Sequence, residues 1–118
     1  MRDLSCADIT ALIRDLCIEA NCYLPADVRC AICAAREQEQ SPVGQSILGD
    51  LVENYTFAGE KRLPICQDTG MAVVFIDLGQ ECHIAGGTLE DAVNAGVAAG
   101  YTDGFLRKSL VSDPIRRV

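Results

Sequence analysis

Apolar residues recur at helical spacing from Ser5 to Thr56, and this period constrains the fold more than any other feature of the 118-residue sequence. A repeat of about 3.6 residues gives an apolar stripe to each of three segments, residues 5–20, 24–40 and 41–56. Ser41 followed by Pro42 is typical of a helix start, because serine caps free backbone N–H groups and proline tolerates the first helical position. The sequence therefore predicts three N-terminal helices, which excludes an all-β fold.

The pattern changes after these helices. Residues 64–70, Pro-Ile-Cys-Gln-Asp-Thr-Gly, form a polar loop, and the apolar run at residues 71–78 predicts a buried strand. A short second strand is predicted at residues 82–85. In a long helix that begins near Leu89, Gly96 and Gly100 share one face, which predicts close approach to another backbone. We expect an α+β or α/β fold, with residues 1–118 in one domain without an internal boundary.

The net charge of −7 argues against nucleic acid as a partner, because the protein would repel a phosphate backbone. Bases gather near the C-terminus, at Arg107, Lys108, Arg116 and Arg117, so a small anion is expected there or on a partner chain. No apolar segment approaches the roughly 18 residues that span a bilayer, and the N-terminus lacks the apolar core of a signal peptide. Seven cysteines, an odd number, favour a reducing compartment. We expect a cytoplasmic protein that does not bind membranes.

Several reactive residue types outside the polar loop have both structural and functional interpretations. Cys30 and Cys33 form a C-x-x-C pair in mid-helix without a second ligand pair at zinc-site spacing, so thiols in an interface or a second buried face fit better than a metal or redox site. His83, the one histidine, fits a structural residue better than an acid–base catalyst, and its role stays open. Thr88 and Asp91 follow two glycines and predict a self-capped helix start rather than a phosphate loop.

The polar loop itself has two general interpretations, and the second of them takes two forms. It is either a simple turn, in which Asp68 bonds to the backbone two residues on, or a reactive site on a rigid support. Asp68-Thr69-Gly70 is also the tripeptide of aspartic proteases, but those need an apolar strand before the aspartate in an all-β chain, and helices precede it here. In the second form of the reactive site, Cys66 is a thiolate ligand of an iron–sulfur cluster, and Gln67 and Asp68 hydrogen-bond a molecule beside it.

Several segments together resemble one enzyme family. The central one is residues 64–75, and its distance to the Leu-Arg-Lys-Ser sequence at residues 106–109 makes chance a poor explanation. Flanking segments are Leu16-Cys17-Ile18-Glu19-Ala20-Asn21, Ser41-Pro42-Val43-Gly44, Gly79-Gln80, His83-Ile84, Gly86-Gly87, Gly104-Phe105 and Asp113-Pro114. Through these segments nearly the whole chain resembles the N-terminal part of the α subunit of class I, iron–sulfur-dependent fumarate hydratases and the related L-tartrate dehydratases.

The resemblance implies roles for four residues. Cys66 is expected to be one of three cysteine ligands of a [4Fe-4S] cluster. Gln67 and Asp68 are expected to contact a small dicarboxylate substrate, and Arg107 to bind one of its carboxylates, which agrees with the basic stretch around it. The implied activity is that of a hydro-lyase, either reversible hydration of fumarate to malate or dehydration of L-tartrate, with an open iron as Lewis acid.

The family's α subunit continues well beyond Val118, and the resemblance assigns the other two cluster cysteines to that part. Further substrate contacts and the proton-transferring residue belong there or to a β subunit. We therefore expect a truncated portion that works with a β subunit in a homo- or hetero-oligomer, and that alone holds no stable cluster and has no activity. The alternative is a non-catalytic assembly module that docks a partner subunit.

Overall fold

The computed structural model describes residues 2–116, which contain four helices and two short strands. In chain order these are β1 (Arg2–Ser5), α1 (Cys6–Cys22), α2 (Ala26–Gln38), α3 (Pro42–Lys61), β2 (Cys82–Ala85) and α4 (Leu89–Asp103). The mixture confirms the α+β class. The three N-terminal helices, the short strand at 82–85 and the glycine-striped helix all occur near their predicted positions.

The chain divides into two compact units. Residues up to Ile18, together with those from Gln67 onward, form the first unit, and Glu19–Cys66 form the second. In the second unit α2 packs against α3. Cys22 is fully buried there, and a β-carbon on Gly59 would lie 3.3 Å from the ring of Tyr23, which shows how closely α3 approaches the end of α1. Gly59 thus leaves room for the ring of Tyr23 and allows close packing in this unit.

In the first unit, β1 and β2 form a two-stranded parallel sheet in which Asp3 pairs with His83 and Ser5 with Ala85. The strand β1 was not predicted, because its four-residue sequence, Arg-Asp-Leu-Ser, has neither apolar alternation nor β-branched residues. Its conformation depends on pairing with a strand that lies some 80 positions further along the chain. The prediction from local pattern could not detect such a partner.

The helices α1 and α4 pack backbone to backbone in the first unit. A β-carbon on Gly96 would lie 2.7 Å from the carbonyl oxygen of Thr10, and one on Gly100 would lie 2.8 Å from the β-carbon of Cys17. The Thr10 hydroxyl also donates to the carbonyl of Ala92 at 3.0 Å. These contacts confirm the close approach that the glycine stripe predicts, because only a hydrogen atom fits at either glycine.

Side-chain caps fix the starts of α3 and α4, as predicted. Ser41 Oγ accepts a hydrogen bond from the N–H of Gly44, and Pro42 occupies the first helical position. Thr88 Oγ1 accepts from the N–H of Asp91 and donates to Asp91 Oδ2 at 2.7 Å. The helix start at Thr88 is therefore satisfied by its own residues, in agreement with self-capping.

The buried strand predicted at residues 71–78 is wrong. The structure assigns no strand to these residues, and their large side chains are exposed, up to 92% for Phe75 and 66% for Val73. A strand needs a neighbour that accepts and donates ladder hydrogen bonds, and within residues 2–116 the one sheet joins β1 to β2. The apolar composition of the segment predicted burial, which would need a covering surface that the described residues do not provide.

Candidate functional site

The chain leading to Cys66 is held by two hydrogen bonds within the second unit. The N–H of Ile65 donates to the carbonyl of Asn21 at 2.9 Å, and Asn54 Nδ2 donates to the carbonyl of Ile65 at 2.8 Å. Cys66 itself is exposed. The residue before the thiol is therefore fixed through both of its backbone polar groups, while the thiol remains accessible to solvent.

Asp68 closes a tight turn in the first unit. Its Oδ1 accepts a hydrogen bond from the N–H of Gly70 at 3.2 Å, and Gly70 has a φ of +60°, which glycine adopts without strain. This is the local turn that one interpretation of the sequence predicted. Gln67 and Asp68 are both exposed. The turn fixes the backbone on the C-terminal side of the Asp68 carboxylate and leaves the side chains of both residues on the surface.

Thr69 joins this turn to the segment that carries Arg107. Thr69 Oγ1 donates to the carbonyl of Arg107 at 3.1 Å, and the same carbonyl accepts from the N–H of Ser109 at 3.0 Å. The preceding residue, Leu106, is only 5% exposed and anchors the segment, whereas Arg107 is exposed. The structure thus brings together two stretches of the first unit that the resemblance assigns to substrate binding.

Tyr101, which the sequence analysis did not single out, contacts the same turn from α4. Its hydroxyl lies 3.2 Å from the carbonyl oxygen of Thr69 and 3.3 Å from that of Gly70. Partial burial raises the pKa of the phenol above 10.0, so the group keeps its proton and can donate at neutral pH. A signal was present in the sequence, because Tyr101 ends the apolar row of Leu89, Val93 and Val97, and a buried tyrosine needs a partner for its hydroxyl.

A cavity of about 430 Å³ lies beside these contacts within the first unit. Gly70 and Met71 line it, as do Tyr101, Lys108 and Ser109. The cavity has the size of a small-molecule site, and Lys108 brings a positive charge to its wall. The cavity therefore places Lys108, one of the basic residues near the C-terminus, on a concave surface next to the Asp-Thr-Gly turn.

Cys30, Cys33 and His83, which have both structural and functional interpretations in the sequence, are all exposed. Cys30 and Cys33 are exposed on α2, and Cys33 Sγ contacts the hydroxyl of Tyr55 on α3 at 3.5 Å. His83 Nδ1 lies 3.3 Å from Asp3 Oδ1, its partner across the two strands, and both side chains are largely exposed. A cross-strand pair of this kind accounts for His83 without a catalytic role.

A cluster site is not complete within residues 2–116. No group of three cysteine, histidine, aspartate or glutamate side chains converges there as metal ligands would. Cys66 fits one position of a cluster, because an exposed thiol can supply a thiolate ligand. The described residues do not supply the others.

None of the helices in this part of the chain combines the length and hydrophobicity needed to cross a membrane.

Comparisons with known proteins agree on one family. The sequence profile described as fumarate hydratase (Fumerase) matches residues 10–118. The chain is 38% identical over 75 residues to a Methanocaldococcus jannaschii protein provisionally named L(+)-tartrate dehydratase subunit alpha, covering 64% of this chain and 26% of that protein. It is 32% identical over 97 residues to a Geobacillus stearothermophilus protein provisionally named fumarate hydratase class I, covering 81% of this chain and 18% of that protein. The chain spans about a quarter or less of the length of these relatives.

Proposed function

Because this chain belongs to the fumarate hydratase (Fumerase) family, we propose that it is the N-terminal portion of the α subunit of a hydro-lyase that acts on a small dicarboxylate. The reaction is either the reversible hydration of fumarate to malate or the dehydration of L-tartrate. The hydrogen bond between Thr69 Oγ1 and the carbonyl of Arg107 carries the proposal. It joins the turn that contains Asp68 to the segment that contains Arg107, and one small diacid could contact both.

The chain's own residues bind and orient the substrate. The Arg107 guanidinium pairs with one carboxylate, which it recognises through its planar fork of N–H donors. Gln67 and Asp68 are exposed beside a rigid turn and supply an amide and a carboxylate that can orient the substrate hydroxyl. Interactions of this type raise the rate by holding the reacting atoms in one geometry. The group that moves the proton belongs to a later segment of the α subunit or to the β subunit.

Cys66 supplies one thiolate ligand to a [4Fe-4S] cluster in the complete enzyme. Such a cluster, when bound, supplies Lewis acidity. A β subunit completes the assembly, and the relative named as an alpha subunit supports this arrangement. The isolated 118-residue chain is expected to hold no stoichiometric iron and to have no activity, since it provides one cysteine of the set.

Substitution of Cys66 in the complete, anaerobically reconstituted α and β enzyme tests the proposal. Cys66→Ser should abolish both cluster content and turnover, whereas Cys30→Ser, an exposed cysteine on α2, should leave both unchanged. Iron and sulfide analysis gives the first readout, and steady-state turnover of malate against L-tartrate gives the second and identifies the substrate. Retention of cluster and activity in Cys66→Ser would show that the assignment is wrong.

A non-catalytic assembly module is the second candidate. The exposed apolar residues at positions 71–78 favour it, because a surface of this kind is typical of a protein–protein contact. An enzyme containing this chain that turned over neither diacid, yet required the chain for assembly, would support the second candidate.

A further inference from the structure

Tyr101 contacts both stretches that hold the proposed substrate residues. Its hydroxyl donates to the carbonyl oxygens of Thr69 and Gly70, which follow Asp68 directly. Its backbone carbonyl accepts from the N–H of Leu106 at 3.0 Å, one residue before Arg107. One residue of α4 therefore fixes the chain on the Asp68 side through its side chain and on the Arg107 side through its backbone.

Thr69 closes the same arrangement from the other direction. Its carbonyl accepts from Tyr101, and its hydroxyl donates to the carbonyl of Arg107. Both stretches lack helix or strand hydrogen bonds of their own, so the contacts of Tyr101 and Thr69 contribute to holding them together. Tyr101 and Thr69 together therefore connect the backbone next to Asp68 with the backbone at Arg107.

We infer that Tyr101 is a positioning residue for the diacid: its hydroxyl holds the turn that carries Asp68 at a fixed separation from Arg107. The inference rests on the proposed function. A diacid presents its polar groups at a fixed spacing, so a site whose two sides are already held at a matching spacing loses less conformational entropy on binding. Removing the hydroxyl should weaken substrate binding while leaving the reacting groups in place.

The test is Tyr101→Phe in the complete α and β enzyme, because phenylalanine keeps the ring and removes only the hydroxyl. The loss of one shared hydrogen bond should raise KM about fivefold and change kcat by less than about threefold. Amide hydrogen exchange at residues 67–70 should become faster. Tyr55→Phe is the matched control, because it removes a tyrosine hydroxyl that contacts Cys33 on α2; it should change neither KM nor exchange at residues 67–70.

Each outcome decides the inference. A raised KM with faster exchange at residues 67–70 supports it. If the wild-type enzyme is active but Tyr101→Phe has the same KM as Tyr55→Phe, the inference is wrong and the proposed function stands. Faster exchange with an unchanged KM also overturns the inference and not the proposed function, because the contact would then be only structural. A wild-type enzyme that turns over neither malate nor L-tartrate overturns the proposed function and this inference with it.

A second variant covers the case in which Tyr101→Phe does not fold. Tyr101→Met also removes the hydroxyl that bonds to the carbonyls of Thr69 and Gly70, and its flexible apolar side chain fills part of the space of the ring. An unchanged KM in a folded Tyr101→Met enzyme would then overturn the inference, and a raised KM with faster exchange at residues 67–70 would support it.

Discussion

The carbonyl oxygen of Thr10 on α1 lies 2.7 Å from the point where a β-carbon on Gly96 of α4 would stand. Gly96→Ala therefore forces two backbones apart, which should lower the free energy of unfolding by about 1–2 kcal/mol, because overpacking outweighs the gain of about 1 kcal/mol in helix propensity. Chemical denaturation followed by circular dichroism measures the change.

Gly49→Ala on α3 is the matched control for that substitution. A β-carbon there would lie 3.4 Å from the flexible end of the Arg36 side chain, an ordinary contact distance. We expect this variant to be as stable as the wild type or more stable by up to about 1 kcal/mol. Equal destabilisation by both substitutions would contradict the role given to the α1–α4 contact.

The Thr69 hydroxyl should affect substrate affinity more than protein stability. In the complete enzyme, Thr69→Val is expected to raise KM about fivefold, the effect of one lost hydrogen bond, whereas Thr69→Ser should keep the wild-type value. Thr56→Val is a suitable control, because the Thr56 hydroxyl bonds to Val52 within α3. Steady-state kinetics with the preferred diacid checks the prediction, which fails if valine and serine behave alike at position 69.

Thiol alkylation should separate the cysteines by exposure. In the 118-residue chain near neutral pH, iodoacetamide should modify Cys30, Cys33 and Cys66 first, and the fully buried Cys22 last. In the cluster-loaded complete enzyme Cys66 should become protected while Cys30 and Cys33 stay reactive. Mass spectrometry of tryptic peptides measures both patterns. Equal labelling of Cys66 with and without the cluster would contradict its role as a ligand.

Stability should fall as the solution becomes alkaline. Burial raises the pKa of the Cys17 and Cys22 thiols above 9.0, and burial together with the nearby Cys17 raises that of Tyr101 above 10.0. Folded molecules thus hold these protons more tightly than unfolded ones, so this contribution is fully present below pH 9 and is lost as the pH rises through the raised values.

Denaturant titrations at neutral and alkaline pH measure this loss. Cys17→Ala should reduce it, because that variant lacks one of the groups whose pKa is raised. An unfolding free energy that stays constant, or rises, between neutral pH and pH values above 10 would contradict the prediction.

Much of the helical structure could be predicted because local pattern determines it. The apolar stripes and the caps at Ser41 and Thr88 specify where α3 and α4 begin without reference to the rest of the chain. The glycines of α4 even indicate a contact, since they leave room for a second backbone. Local pattern missed the strand β1 and wrongly predicted a strand at residues 71–78. Both errors arise because a strand exists only if another strand pairs with it, and that partner lies elsewhere in the chain.

The candidate site was predictable in part. Residue types and the family resemblance pointed to Gln67, Asp68 and Arg107, but the contacts that join their segments link residues 32 and 38 positions apart. No local pattern reports such pairings. Tyr101 follows Leu89, Val93 and Val97 at helical spacing, and only the structure shows which carbonyl groups its hydroxyl reaches.

The apolar segment at residues 71–78 limits how the isolated chain can be handled. Within the described residues its backbone forms no strand ladder, so the same segment of another molecule can pair with it. Such pairing would also bury the exposed apolar side chains of both molecules. Such association depends on how many molecules share a given volume. Concentrated samples should therefore develop intermolecular β-structure on standing, and dilution should slow this association more than cooling does.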